Sequence, residues 1–370
     1  MTPTDKKNQS LLSIGIILAS LGLAYAPIPG LQQTIVVVAG TEVAEPLAEI
    51  ASEFEQQNNH IQVVLKFQGA QDMVNNYIDQ KNDFTPTVLM PANGKILEEL
   101  RDRQSNQSQV EPFVDPPQAI AKTLLVGIAW PERGNILFPG GNFQWQTIEN
   151  AMEKRSWPAI GGKENWGSFD FIMTDPTRSN SGQETLSLWA QAKLGGASPQ
   201  KSNINQPKIQ SLIALVENSV YQPPRSSDIL LQEFITRGPN EADVGTTYES
   251  IALTRWSQSE QSQGTPYQIY YLNPTIESEV TAVILQREVN NSQINVAKKW
   301  VSFLLQPQQQ ETFVQFGFRP VDQEIDLKSV SDSPWRENIP GAQIQPTGRV
   351  FPPPDTQLSG EIQRLWQRAN

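Results

Sequence analysis

The sequence predicts an α/β fold, in which strands alternate with helices around a mainly parallel, helix-covered sheet. Two observations carry this expectation. Short β-branched runs are each followed by a segment of helical period, and a glycine or hydroxyl-bearing turn separates the two. The chain of 370 residues also has room for two domains, each with a core of its own.

The first unit is TIVVVAG, ended by Gly40, followed by EPLAEIASEFEQQN, which sets Leu47, Ile50, Ala51 and Phe54 on one helical face. In the second, IQVVLKF alternates Ile61, Val63, Leu65 and Phe67, Gly69 breaks the run, and Met73, Val74, Tyr77 and Ile78 resume a helical period. TPTVLMPANGKILEELRD repeats the pattern. After the polar QSNQSQVEPFVDPP comes the apolar AIAKTLLVGIAWP, which reads as a crossover into a second domain. That domain is expected to hold a helix in FQWQTIENAMEK, a strand in FDFIMT and a helix from Glu184 to about Leu194. Further helices are expected in KIQSLIALVENSV, SSDILLQEFITRG and SIALTRW, with the strand ADVGTT among them. SQSEQSQG reads as a loop. TAVILQ, a helical stretch and FRPV then return the chain, and beyond Asp322 a Pro-rich segment is expected to wrap the surface by burying Trp335, Phe351 and Trp366.

Lys6 and Lys7 precede the uncharged run from Leu11 to Ala26, the form of an export segment. Three readings stand: a removed signal, a retained anchor or a buried helix, since Pro27 directly follows the small-x-small site Ala24-Tyr25-Ala26. The first two place the globular part outside the cytoplasmic membrane, in the periplasm or on the outer membrane face, with the lysines inside.

Composition excludes several classes. With 28 basic and 39 acidic residues, a net charge of −11 and no basic cluster interleaved with aromatics, nucleic acid is not expected as a partner. No cysteine is present, so disulfides, thiolate metal sites and a cysteine nucleophile are out, and the single His60 cannot build a histidine metal site. No metal or cofactor is expected. Nor is catalysis: Ser181 lacks a G-x-S-x-G elbow, and nothing in the spacing of Glu42, Asp72, Asp175 or Glu249 selects an acid–base pair.

The richest stretch is DPTRSNSG, residues 175–182. Pro176 stops a strand, Asp175 starts a turn, and Ser181 stands three residues before Glu184 at capping-box spacing. A helix start carries free N–H groups and about half a positive charge, so it can hold an anion without a cationic side chain. Small residues let a ligand approach it. Arg178 either adds charge or pairs with a surface carboxylate. Gly40-Thr41-Glu42, Gly69-Ala70-Gln71-Asp72 and Gly245-Thr246-Thr247-Tyr248 have the same character. In open α/β sheets ligands bind at the carboxyl ends of strands, so four such junctions facing one cleft would make a small-ligand site.

The stretches VVVAGTEVAEPLAEIASEFE, LKFQGAQDM, LLVGIAWP, TDPTRSNSG, DVGTTYES, YYLNPT and FGFRPV, in this order over residues 34–322, resemble the type II periplasmic solute-binding proteins of ABC transporters. The branch concerned includes molybdate-, sulfate- and phosphate-type binders. The resemblance implies a two-lobe fold with an interlobe ligand cleft, a small-molecule or oxyanion ligand and an ABC permease as partner. It implies ligand contacts at Thr41, Glu42, Ala70, Gln71, Ser179, Asn180, Ser181 and Tyr248. The expected division is an export segment at 1–30, one lobe from 34–122 plus 283–322, a second from 123–282, and an extension at 323–370.

The chain departs from the anion binders where they commonly carry serines, having Thr41-Glu42 and Ala70-Gln71-Asp72 instead. These acids either serve the helix dipole or face the cleft, which would favour a neutral or cationic solute. A sensor or partner-binding module built on the same lobes, without transport, is the alternative function.

Overall fold

In the computed structural model, residues 32–369 are described, apart from 109 and 323. The expected export segment lies outside them. Among the described residues no helix is long and apolar enough to cross a membrane.

The first units fold as the hydrophobic periods require. Strand β1 (Gln33–Ala39) leads through a short 3-10 turn into helix α1 (Ala44–Gln57), β2 (Ile61–Phe67) into α2 (Ala70–Ile78), and β3 (Val88–Met90) into α3 (Lys95–Ser108). β1 lies between β2 and β3, parallel to both. Its alternating side chains feed two cores: Ile35, Val37 and Ala39 meet Leu47, Ile50 and Phe54 of α1, whereas Val38 meets Met73, Val74 and Tyr77 of α2.

Strand β4 (Gln118–Ala129) is the crossover. It is followed by α4 (Pro131–Leu137), α5 (Trp145–Lys154), β5 (Phe171–Ile172), α6 (Asn180–Lys193), α7 (Pro207–Ser219), α8 (Ser227–Arg237), β6 (Val244–Tyr248), α9 (Glu249–Thr254), α10 (Trp256–Gln263) and β7 (Gln268–Tyr271). The chain returns along β8 (Thr275–Ile284) to α11 (Asn291–Leu304), α12 (Pro307–Gln315) and β9 (Arg319–Pro320).

Two long strands join the lobes. The first part of β4 pairs antiparallel with β8 and with β9, while Leu125 to Ala129 pair with β6 and β7. The other end of β8 reaches β3 at Val283 and Ile284. One curled sheet therefore runs through both lobes, with seven strands in the order β2-β1-β3-β8-β4-β6-β5 and three more paired at its side, β7 and β9 on β4 and a last short strand on β8.

Beyond β9 the chain wraps the molecule, with β10 (Val350–Phe351) pairing with the start of β8 and α13 (Thr356–Ala369) closing it. α13 buries Leu358, Ile362, Leu365 and Trp366, one stripe at helical spacing. Trp335 and Trp366 sink into the core that holds α6 and α7, and Phe351 packs against its edge. Arg319 pins this wrap. Its guanidinium grips the fully buried carboxylate of Glu249 at 2.7 and 2.8 Å and donates to the carbonyls of Gln343 and Ile344.

One element differs from the sequence reading: SQSEQSQG is not a loop, because residues 256–263 form α10. Trp256 Nε1 donates to Tyr267 O at 3.0 Å and Ser259 is fully buried, so tertiary anchoring overrides a polar sequence. Gly264, at φ +71°, then ends the helix.

Candidate functional site

Helix starts from both lobes point into one small cavity. It has a volume of about 20 Å³ and is lined by Gly40, Thr41, Glu42, Gly69, Ala70, Ser179, Asn180, Ser226, Ser227 and Tyr248, among others. The N-cap positions Gly40, Gly69, Ser179 and Tyr248 all have extended backbone and no side-chain cap. The first-turn N–H groups beyond Gly69 and Ser179 stay available, whereas Ser250 N–H, beyond Tyr248, donates to Thr123 Oγ1 at 3.1 Å and the Glu42 carboxylate folds back over Gly40.

The lobes meet closely here. A Cβ on Gly69 would lie 2.9 Å from the carbonyl oxygen of Arg178, so only glycine permits this approach of two backbones. Arg178 pairs with Asp72 across the cleft at 2.9 Å. Both side chains are more than one-third exposed, so the pair contributes little stability and serves mainly to align the lobes.

The DPTRSNS turn is built by Asp175, whose Oδ1 accepts from both the N–H and the hydroxyl of Thr177, while its carbonyl accepts from the N–H groups of Arg178 and Ser179. The capping box expected at Ser181 and Glu184 does not form. Helix α6 begins one turn earlier than Glu184, with Ser179 at the N-cap. Ser181 Oγ instead sits 2.7 Å from Thr174 Oγ1 and 2.8 Å from Ser227 Oγ, behind the cavity wall. Glu184 is drawn away by Ser278 Oγ, at 2.6 Å, and by Asn93 Nδ2, at 3.2 Å. Ser181→Ala is therefore expected to lower stability by about 1 kcal/mol in urea unfolding, through loss of this hydroxyl cluster.

Of the residues singled out from sequence, Thr41, Glu42, Ala70, Ser179, Asn180 and Tyr248 line the cavity. Ser181 and Gln71 do not. Gln71 is committed elsewhere, donating to Glu99 Oε1 and accepting from Gln363 Nε2, each at 3.0 Å. Two features escaped the sequence reading. Ser226-Ser227 opens α8 with an N-cap signature that was legible, Ser226 Oγ accepting from Ile229 N–H. The other is the buried role of Glu184, which the sequence offered only as a capping-box residue, because its actual partners lie 91 and 94 residues away.

The electrostatics are unusual for two reasons. Several enclosed polar atoms here lack a hydrogen-bond partner: Glu42 Oε1, Asn180 Nδ2, Glu184 Oε2 and the Tyr248 hydroxyl. Among the described residues neither acid is in an ion pair, although Arg225 also lines the cavity and Arg255 the space beside Glu42. Burial pushes Glu184 up to about 8, and pushes Glu42, whose Oε1 is enclosed although the residue is only partly covered, up to about 7. Tyr248 is raised as well, by burial and by the charges of Glu184 and Glu42.

Two further cavities flank the site. On one side Asn180 also lines a space of about 10 Å³ shared with Glu184, Lys95 and Glu99, closed by Pro354, Thr356 and Ser359 of the wrap. On the other, Thr41 and Glu42 border a space of about 60 Å³ with Glu45, Asp228 and Arg255. His60 is exposed in a turn at the start of β2, whose other end leads to the cavity. Among the described residues no cluster of three or more acidic or histidine side chains is placed to hold a metal ion.

Comparison with known proteins gives one family: the model described as bacterial extracellular solute-binding protein matches residues 35–319. No functionally curated protein matches the sequence. Solved structures share the fold. A ferric binding protein from Campylobacter jejuni superposes with a TM-score of 0.61 at 11% identity, covering 91% of this chain and 99% of that one. A sulfate-binding protein from Mycobacterium tuberculosis does so at 0.58 and 16% identity, covering 87% and 94%. Iron-bound HitA from Pseudomonas aeruginosa gives 0.58 at 14% identity, covering 91% and 99%.

Proposed function

The chain belongs to the bacterial extracellular solute-binding proteins, and from that membership we propose that it captures a small oxyanion between its two lobes and delivers it to an ABC transporter permease. The observation that carries this reading is the convergence of helix starts from both lobes on one cavity, the uncapped first turns of α2 and α6 facing each other there with Arg225 on its wall. Their N–H groups and partial positive ends suit a compact anion that accepts hydrogen bonds on every side. Thr41, Ala70, Ser179, Asn180 and Tyr248 would hold it, and Glu42 would border it.

The lobes we assign are 34–122 plus 283–322, and 123–282. Separate hydrophobic cores support this division, the second core also receiving the wrap from 323 onward. The protein would act at the outer face of the cytoplasmic membrane or in the periplasm, exported by its N-terminal segment.

The test is thermal and urea unfolding of the protein against a panel of sulfate, molybdate, phosphate, ferric and other metal ions, and small organic solutes. A true ligand at a hundred times its dissociation constant should add about 2.7 kcal/mol. Stabilisation by metal ions or organic cations with none by oxyanions would overturn the reading.

A further inference from the structure

Resting on the oxyanion reading, we propose that Glu184 is the positioning residue that sets whether Tyr248 offers the cleft a hydrogen-bond donor or an acceptor. When Glu184 is a neutral acid, its O–H donates to the Tyr248 oxygen, which leaves the phenolic O–H free to point at the anion. When Glu184 is ionised, Tyr248 must donate to the carboxylate and turns a lone pair toward the cavity, where it repels the anion.

The geometry sets this up. Tyr248 lines the anion cavity, whereas Glu184 lies behind it and lines only the neighbouring space on the wrap side. Glu184 Oε1 already accepts from two neutral donors, Ser278 Oγ and Asn93 Nδ2. Oε2 has no partner, and neither has the Tyr248 hydroxyl, which approaches Glu184 and Ser278 without an aligned hydrogen bond. Glu184 is 1% exposed and Tyr248 2%, so neither group is solvated by bulk water.

Among the described residues Glu184 is in no ion pair, and Arg225, on the wall of the cavity that Tyr248 faces, is not among the groups that shift it. From α3, Lys95 and Glu99 face the same small space, but Lys95 is paired with Glu98 and Glu99 with Arg103. On β8, Glu277 and Glu279 flank Ser278 and pair with Lys122 of β4. α13 gives the space only Thr356 and Ser359, its charges being held in the Glu361–Arg364 pair, with Arg368 in its last turn. On α5, Glu149 is paired with Lys193 of α6 itself. Glu42 adds a repelling charge across the cleft. An ionised Glu184 would thus be a buried charge without a counter-ion, which favours the neutral acid, and the upward shift to about 8 agrees with that.

The inference narrows the ligand class. With Glu184 neutral, Tyr248, Asn180 Nδ2 and the starts of α2 and α6 all donate, so the site fits an anion with no proton of its own to give, such as sulfate or molybdate, better than a hydroxylated organic solute.

The experiment is isothermal titration of the protein with sulfate and with molybdate between pH 5.5 and 9. Wild-type affinity is expected to hold at the acid end and then to fall by about tenfold per pH unit once Glu184 ionises. In Glu184→Gln the amide donates permanently to Tyr248, and the fall should vanish with tight binding kept at pH 9. In Tyr248→Phe binding should be weak and flat with pH. Oxyanion binding that is independent of pH in the wild type, or a slope that survives in Glu184→Gln or disappears in Glu42→Gln, overturns the switch and leaves the oxyanion reading standing. Absence of oxyanion binding at every pH removes both.

Discussion

Replacing Arg319 by alanine is expected to cost about 3–5 kcal/mol of folding stability. The reason is the partner left behind. Glu249 is 0% exposed, and both of its oxygens are held by the guanidinium. Without Arg319 this carboxylate has only the Tyr271 hydroxyl and no counter-charge. The same substitution frees the carbonyls of Gln343 and Ile344 and removes the cation from the Trp335 ring, 4.7 Å away. Urea unfolding checks the loss. The double variant Arg319→Met with Glu249→Gln removes the buried charge altogether and should recover most of the stability, because the penalty lies in the unpaired ion more than in the absent bond. A double variant as unstable as Arg319→Ala would place the penalty in packing instead.

The second large effect is on the pH profile of the unliganded protein, whose stability is expected to fall between about pH 5 and pH 8. Burial raises Glu184 to about 8, Glu42 to about 7 and Asp243 to about 6. The unfolded chain ionises these groups near pH 4 to 4.5, whereas the folded chain keeps them protonated, so the folded state binds more protons across the interval. Their contribution is fully present below about pH 4.5 and is lost as pH rises through the folded values. Glu184 carries most of it, being the most deeply enclosed, and the total is on the order of a few kcal/mol. The carboxylates depressed by surface ion pairs, Asp79, Glu132 and Glu361, act in the opposite sense but below this interval. Urea midpoints at pH 5, 6, 7 and 8 should decline, and Glu184→Gln should flatten the decline. A midpoint that climbs from pH 5 to pH 8 would contradict the burial-driven shifts.

How much of this was legible depends on the range of the forces involved. Strand-to-helix junctions are local chemistry, so Gly40-Thr41, Gly69-Ala70 and Ser179-Asn180 could be marked from their residues alone, and the chain crossing at AIAKTLLVGIAWP showed in its length and apolarity. What failed was decided at a distance. Helix α10 exists because Trp256 has Tyr267 to bond, against the preference of its own polar residues. The Ser181–Glu184 spacing is a true local signature, yet Glu184 is worth more to Ser278 and Asn93, which arrive from the hinge strand and the other lobe. Arg178 could be read as added charge for a ligand or as the partner of a surface carboxylate, and only the fold names that carboxylate as Asp72. Glycine at 69 read as a turn former, whereas its second duty is to let the Arg178 carbonyl come near.

The C-terminal wrap has a bearing on traffic into the cleft. Residues 354–359 seal the cavity flank beside Glu184, and Gln363 of α13 ties to Gln71 of the other lobe. On the opposite flank, at Glu45, Asp228 and Arg255, Arg255 reaches Glu45 at 3.5 Å. A clamshell would gape along its whole rim. Here one flank is held by the wrap, while the opposite flank presents Arg255 between Glu45 and Asp228.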